Sequence, residues 1–154
     1  MTSARGPKDG SRLMRLNAGT LAIEAEATLP KDKKGEQIGV FGVGVDNAHN
    51  QVWTTNTLAE TVTVYDAKTL SVVKVFPEGS VSHPRDVVID EANNRAYVSA
   101  ALTGFVEVYD TKTLEHIGQL EFVVERGKNL FNSTDLTLDS AGGKLYGVSR
   151  DTPW

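Results

Sequence analysis

The chain of 154 residues is 40% apolar and carries a formal net charge of −4, so it can bury a core and has no electrostatic reason to bind nucleic acid. It contains no cysteine, which excludes disulfides, and residues 1–12 lack the apolar stretch of a signal peptide or a membrane anchor. These features predict a soluble globular chain without a membrane span, and they do not select a cellular compartment.

The first predicted element is a pair of strands over residues 13–29. This segment matches the second half of a longer repeat, because Leu21 stands 49 residues before Leu70 in the same local context. We interpret residues 1–12 as a flexible N-terminal segment and residues 13–29 as half of a four-stranded unit.

Two full copies of the unit follow, over residues 38–77 and 84–124. Residues 42–76 return as residues 86–120, with every matched position 44 residues apart. A period of roughly 40 to 50 residues with several short strands is typical of a β-propeller blade. Each copy predicts four antiparallel strands: a short apolar inner strand, a second strand, a strictly alternating third strand and an outer strand.

The last predicted element, residues 133–150, repeats the first half of the unit at an offset of 49 from the preceding copy. The predicted fold class is therefore all-β, with blades of four antiparallel strands in an incomplete ring. Two complete and two half blades make about three blades' worth.

Six apolar residues are expected to be buried on the inner strands: Val43, Val45, Val87, Ile89, Leu136 and Leu138. Three aromatic rings are expected to pack between blades: Trp53, Tyr97 and Tyr146.

The repeat motif resembles the YVTN-type β-propeller repeats of bacteria and archaea. Residues 53–56 and 97–100 take the place of the aromatic-Val-Ser/Thr-Asn segment, and residues 62–66 and 106–110 that of the Val-x-Val-hydrophobic-Asp segment. The resemblance spans about residues 13–150, and the Gly-His and Trp-Asp marks of WD40 blades are missing. It implies a propeller that is a periplasmic or cell-surface binding protein or a lactonase-like enzyme.

An incomplete ring leaves three alternatives open, because an ordinary propeller closes with roughly 4 to 8 blades. The chain is expected to be a fragment of a longer propeller. Alternatively, it self-associates, so that the C-terminal half blade of one copy completes the N-terminal half blade of another. The third alternative is an open array with bare apolar faces.

The loops of one propeller face differ between the repeats, whereas the turns of the opposite face are nearly copies. Because loops carry function more often than the scaffold does, residues 30–37, 77–86 and 125–135 form the predicted ligand face. Two interpretations are open for His83, which stands before Pro84: it orders the loop, which is the favoured interpretation, or it points into the channel with Arg85 and binds an anion. The candidate ligand-binding residues are His83, Arg85, Asn132, Asn56 and Arg150.

The sequence predicts no catalytic residue, metal ligand or cofactor. The three histidines fall in separate elements, and Asp46, Asp90 and Asp139 are each followed by a turn that their side chains can cap. We therefore predict a non-catalytic scaffold that binds a protein, glycan or small-molecule ligand through its inter-blade loops. The alternative is a lactonase-like hydrolase with a divalent metal in the central channel.

Overall fold

The computed structural model describes residues 11–36, 38–121 and 133–149, and these residues form twelve strands and one short 3-10 helix, Glu91–Asn93. The prediction of an all-β chain is confirmed. In chain order the strands are β1 Arg12–Leu16, β2 Ile23–Thr28, β3 Val40–Asp46, β4 Gln51–Asn56, β5 Thr61–Asp66, β6 Val72–Val75, β7 Pro84–Asp90, β8 Arg95–Ala100, β9 Phe105–Asp110, β10 Glu115–Glu121, β11 Ser133–Asp139 and β12 Lys144–Ser149.

The strands form four antiparallel sheets, each from consecutive strands. Blade 1 has the order β3-β4-β5-β6, and blade 2 has the order β7-β8-β9-β10. Among the described residues, the N-terminal half blade consists of β1 and β2, and the C-terminal half blade consists of β11 and β12. This arrangement confirms two complete and two half blades. The predicted flexible segment, 1–12, lies almost wholly outside the described residues and stays a prediction.

The main core lies between blades 1 and 2. Trp53 is fully buried there, and its ring centroid lies 6.0 Å from that of Tyr109 and 5.9 Å from that of Phe76. Val87 from the inner strand of blade 2 is 2% exposed in the same cluster, and its burial was predicted. The indole N–H of Trp53 donates to Gln51 Oε1 at 2.9 Å, so its one polar atom is satisfied inside the core.

The predicted packing is wrong for three residues, which are exposed: Val43 is 58% exposed, Val45 is 49% exposed and Tyr146 is 52% exposed. Both valines lie on the side of β3 that faces the N-terminal half blade, whose described part holds only the outer two strands. Tyr146 lies at the repeat position of Trp53, on the side that faces a following blade. Leu136 is buried as predicted, and Ile89, Leu138 and Tyr97 are partly buried.

The inner strands of blades 1 and 2 approach closely because glycine occupies the contact. A Cβ atom added at Gly42 would lie 2.6 Å from the carbonyl oxygen of Arg85. The Gly42 N–H donates to Thr55 Oγ1 at 2.7 Å, and that hydroxyl donates to the Arg85 carbonyl at 2.9 Å. A side chain at this position would push β3 away from β7, so the glycine sets the spacing at the centre of the propeller.

The turn between the third and fourth strands is the same in each unit. In blade 2, Asp110 Oδ1 accepts hydrogen bonds from the backbone N–H groups of Lys112 and Thr113, both at 2.9 Å. Both bonds lower the pKa of Asp110 below its ordinary value, and the bond from Thr113 has the larger effect. The turn ends on a leucine with a left-handed backbone in all three units, with φ of 58° at Leu21, 56° at Leu70 and 56° at Leu114.

Candidate ligand cleft at the ends of the inner strands

An open cleft of about 320 Å³ lies where the three inner strands β3, β7 and β11 begin. These strands are equivalent in the repeat, so their starting ends meet on one face of the propeller. Six residues line the cleft: Phe41, Gly42, Arg85, Asp86, Thr134 and Asp135. Four of them fall within the predicted segments 77–86 and 125–135, so the structure forms a cleft on the predicted ligand face.

Arg85 is the cation of the cleft. Its guanidinium carbon lies 4.1 Å from the centroid of the Phe41 ring, which is within the range of a cation–π contact. The side chain is half-buried, and among the described residues its guanidinium has no hydrogen-bond or ion-pair partner. A guanidinium that lies over an aromatic ring keeps the hydrogen-bonding capacity of its N–H groups, which can bind a carboxylate or a phosphate.

The two carboxylates of the cleft have different roles. Asp86 Oδ2 accepts from the backbone N–H of Leu136 at 2.8 Å, and Oδ1 accepts from that of Val87 at 2.9 Å, so this carboxylate joins blade 2 to the C-terminal half blade. Asp135 is exposed, and its carboxylate has no hydrogen-bond partner within the described ranges. The charged groups that remain open to a ligand are therefore Arg85 and Asp135.

His83 lies outside the cleft, at the entrance to β7. Its backbone has a left-handed φ of 52°, and its carbonyl accepts from the Ala101 N–H at 3.3 Å. Its Nδ1 is 3.8 Å from Glu60 Oε1, on the loop between the second and third strands of blade 1. These contacts favour the first interpretation of His83, in which it orders the loop before Pro84.

The other predicted ligand residues do not reach the cleft or are not described. Asn56 is fully buried inside blade 1, where its Nδ2 donates to Thr63 Oγ1 at 2.8 Å and its Oδ1 accepts from Thr54 Oγ1 at 3.2 Å. Asn132 and Arg150 lie outside the described residues. Of the five candidates, the structure therefore places Arg85 in the cleft.

Sequence reasoning missed Phe41 as a site residue. It stands in the apolar run of β3, where an aromatic side chain is expected to belong to the core, yet its side chain is 62% exposed. The available signal was its position directly before Gly42, because a glycine in a strand marks a close approach of another backbone or a ligand.

The histidines pair with separate carboxylates. His49 Nδ1 lies 2.8 Å from Asp46 Oδ2, and His116 Nε2 lies 2.7 Å from Glu107 Oε2, while His83 has the longer contact described above. This agrees with the prediction that the three do not converge. Within residues 11–36, 38–121 and 133–149, no three His, Asp or Glu side chains lie close enough together to hold a metal ion.

The recurring aspartates at the ends of the inner strands cap turns, as predicted. Each carboxylate accepts a hydrogen bond from a backbone N–H three residues later, which satisfies a donor that the turn leaves free. The three bonds are His49 to Asp46 at 3.0 Å, Asn93 to Asp90 at 3.2 Å and Gly142 to Asp139 at 2.8 Å.

In the part of the chain that is described, no helix is long and apolar enough to cross a membrane.

Comparison with known proteins supports the fold. No model of a protein family matches the sequence, and no curated protein matches it. Among solved structures, the chain is similar to the dihydro-heme d1 dehydrogenase NirN in complex with DHE, with a TM-score of 0.68 and 13% identity over 93% of this chain and 29% of that chain. A protein of Bacteroides uniformis, provisionally assigned as a 6-phosphogluconolactonase, has a TM-score of 0.65 and 15% identity over 89% of this chain and 43% of that one.

A third similar structure is the hydrazine synthase of Kuenenia stuttgartiensis, with a TM-score of 0.56 and 19% identity over 70% of this chain and 28% of that chain. The chain thus spans less than half the length of each of these structures. NirN and the Bacteroides uniformis protein are β-propeller-like, so these two comparisons confirm the fold class. Identities this low show the fold alone.

Proposed function

We propose that this chain is a non-catalytic β-propeller scaffold that binds a small anionic ligand in the cleft, with Arg85 as the anion-binding group. The observation that carries the proposal is the half-buried Arg85, whose guanidinium carbon lies 4.1 Å from the centroid of the Phe41 ring and which has no acidic partner among the described residues. Bidentate hydrogen bonds from such a group favour carboxylate and phosphate over neutral ligands.

The other lining residues narrow the class of ligand. A cleft of about 320 Å³ is in the size range of small-molecule sites, and Gly42 contributes no side chain to it. Thr134 and the open carboxylate of Asp135 face the same space and can hydrogen-bond to hydroxyl groups. A small hydroxylated acid or a sugar phosphate combines the two required features, an anionic end for Arg85 and hydroxyls for Asp135.

The assignment to the YVTN-type propellers is part of the same proposal. It is supported by the Val-Tyr-Asp-x-Lys-Thr-Leu block at residues 64–70 and 108–114, whose aspartates make the shared turn. The periplasmic or cell-surface location that this resemblance implies is likewise proposed. The hydrolase alternative stays a prediction, since no contact among the described side chains favours it over binding.

Calorimetric titration with two probes, inorganic phosphate and tartrate, tests the proposal. Arg85→Gln should weaken binding about tenfold or more, because a hydrogen bond to a charged group contributes roughly 1.5 to 3 kcal/mol. Lys112→Gln is the matched control, since it removes the same charge from an exposed turn at the opposite end of blade 2. Equal losses in the two variants, or binding that neither changes, would contradict a site at Arg85.

A further inference from the structure

Each of the three inner strands has a β-bulge close to its start, where two consecutive residues lie opposite a single residue of the second strand. The three bulges are equivalent in the repeat: Phe41 and Gly42 opposite Thr55, Arg85 and Asp86 opposite Ser99, and Thr134 and Asp135 opposite Val148. These six bulge residues are the six that line the cleft. Bulges redirect side chains and often lie next to functional sites, so the cleft owes its lining to them.

The second residue of each bulge has a structural role in the two complete blades. The Gly42 N–H donates to Thr55 Oγ1 at 2.7 Å, and the Asp86 N–H donates to Ser99 Oγ at 2.9 Å. The Asp86 carboxylate also accepts from the Leu136 N–H at 2.8 Å, which ties blade 2 to the next inner strand. Since the backbone bond is the same in both blades, the second bulge position belongs to the scaffold and holds the bulge in place.

The first residue of each bulge, in contrast, differs in chemistry from strand to strand. It presents an aromatic ring at Phe41, a guanidinium at Arg85 and a hydroxyl at Thr134, and all three residues line the cleft. Phe41 is exposed, and Arg85 and Thr134 are partly buried, so none of these side chains belongs to the core. The Arg85 guanidinium carbon lies 4.1 Å from the centroid of the Phe41 ring, so the first residues of neighbouring bulges meet over one space.

We propose that the first residue of each bulge is the specificity-determining position of the cleft, an inference that rests on the proposed function. The scaffold keeps the bulge, and the side chain at its first position selects the chemical group of the ligand that it binds. Arg85 selects an anionic group, Phe41 offers an apolar face, and the Thr134 hydroxyl forms a hydrogen bond with a polar group. Because the three positions are equivalent and face one space, a guanidinium at any of them binds an anion.

Moving the guanidinium between equivalent positions tests the proposal. Arg85→Thr should weaken the binding of inorganic phosphate about tenfold in calorimetric titration. Adding Thr134→Arg exchanges the two side chains without changing composition or net charge, and phosphate binding should return to within about threefold of the wild-type value. The matched control is Arg85→Thr with Thr137→Arg, which has the same composition but carries the guanidinium at an exposed position of β11 beyond the bulge, so binding should stay weak.

A second transfer, Arg85→Thr with Phe41→Arg, puts the guanidinium on β3 and should also restore phosphate binding. Circular dichroism should show that every variant keeps the β-fold. Failure of either transfer in a folded variant, or equal recovery in the Thr137→Arg control, would overturn the proposal while the loss in Arg85→Thr still supports the proposed function. If Arg85→Thr leaves phosphate binding unchanged, or the wild-type chain binds no phosphate, the proposed function itself is contradicted and the specificity positions fall with it.

Discussion

Val43 and Val87 occupy the same position of the repeat, and comparing their truncation tests how the blades pack. The two residues are 44 positions apart on equivalent inner strands, yet Val43 is 58% exposed and Val87 is 2% exposed. Their local strand geometry is alike, so a difference in the free energy of unfolding reports what lies against each side chain. We expect Val87→Ala to destabilise the chain several times more than Val43→Ala.

The magnitude follows from burial. Valine to alanine removes two methyl groups, and each buried carbon contributes about 0.8 kcal/mol, which gives about 1.6 kcal/mol for Val87. The cavity left beside Trp53 adds to this, for a total of about 2 to 3 kcal/mol. Val43 is 58% exposed, so less than half of the transfer free energy applies and solvent fills the space. The expected cost of Val43→Ala is below about 0.7 kcal/mol.

Urea unfolding monitored by the fluorescence of Trp53 measures both values, and a Trp154→Phe background leaves Trp53 as the only tryptophan. The experiment is run at a concentration where the chain is monomeric, because association through the exposed side of β3 would bury Val43. Equal costs for the two truncations in the monomer would refute the reasoning. A cost below about 0.5 kcal/mol for Val87→Ala would show that this position is not in the core.

Two further predictions concern a buried tyrosine and the glycine at the inner strands. Burial, with a smaller contribution from the charge of Glu107, raises the pKa of Tyr109, so its stabilisation is complete below about pH 10 and is lost as the pH rises further. Thermal unfolding from pH 8 to 11 should show this loss, and Tyr109→Phe should reduce it; an identical pH dependence in the variant would contradict the assignment. Gly42→Ala should destabilise the chain by roughly 1 to 3 kcal/mol through its clash with the Arg85 carbonyl, and a neutral result in urea unfolding would show that the inner strands adjust.

The strands and turns could be predicted from the sequence because they depend on local pattern. Strict alternation over residues 61–66 and 105–110 gave the third strands, and the aspartate after each gave the turn that it caps. Repetition strengthened these predictions, since two copies with the same pattern are expected to have the same structure. Trp53 and Val87 were identified as core residues for the same reason.

Exposure at the ends of the array could not be predicted from pattern. Val43 and Val45 have the same alternation as Val87 and Ile89, and the difference lies in what stands on the other side of the strand, which is a non-local property. The site divides in the same way. Arg85 is predictable from the sequence because it follows a loop that differs between the repeats. The position of Asn56 beside a loop also predicts a site residue, but its burial depends on packing inside blade 1, which the sequence pattern does not report.

The leucines with a left-handed backbone that end the turns differ in how deeply their side chains are buried. A left-handed conformation costs roughly 1 to 2 kcal/mol for any residue with a Cβ atom, and Leu70 offsets it with a side chain that is 3% exposed. Leu21 has the same backbone with φ of 58°, yet its side chain is 73% exposed. The leucine at position 21 therefore bears the strain without the packing, as expected of a residue inherited when an ancestral unit was duplicated. Duplication copies a motif together with its strain, whether or not the copied side chain finds a partner to pack against.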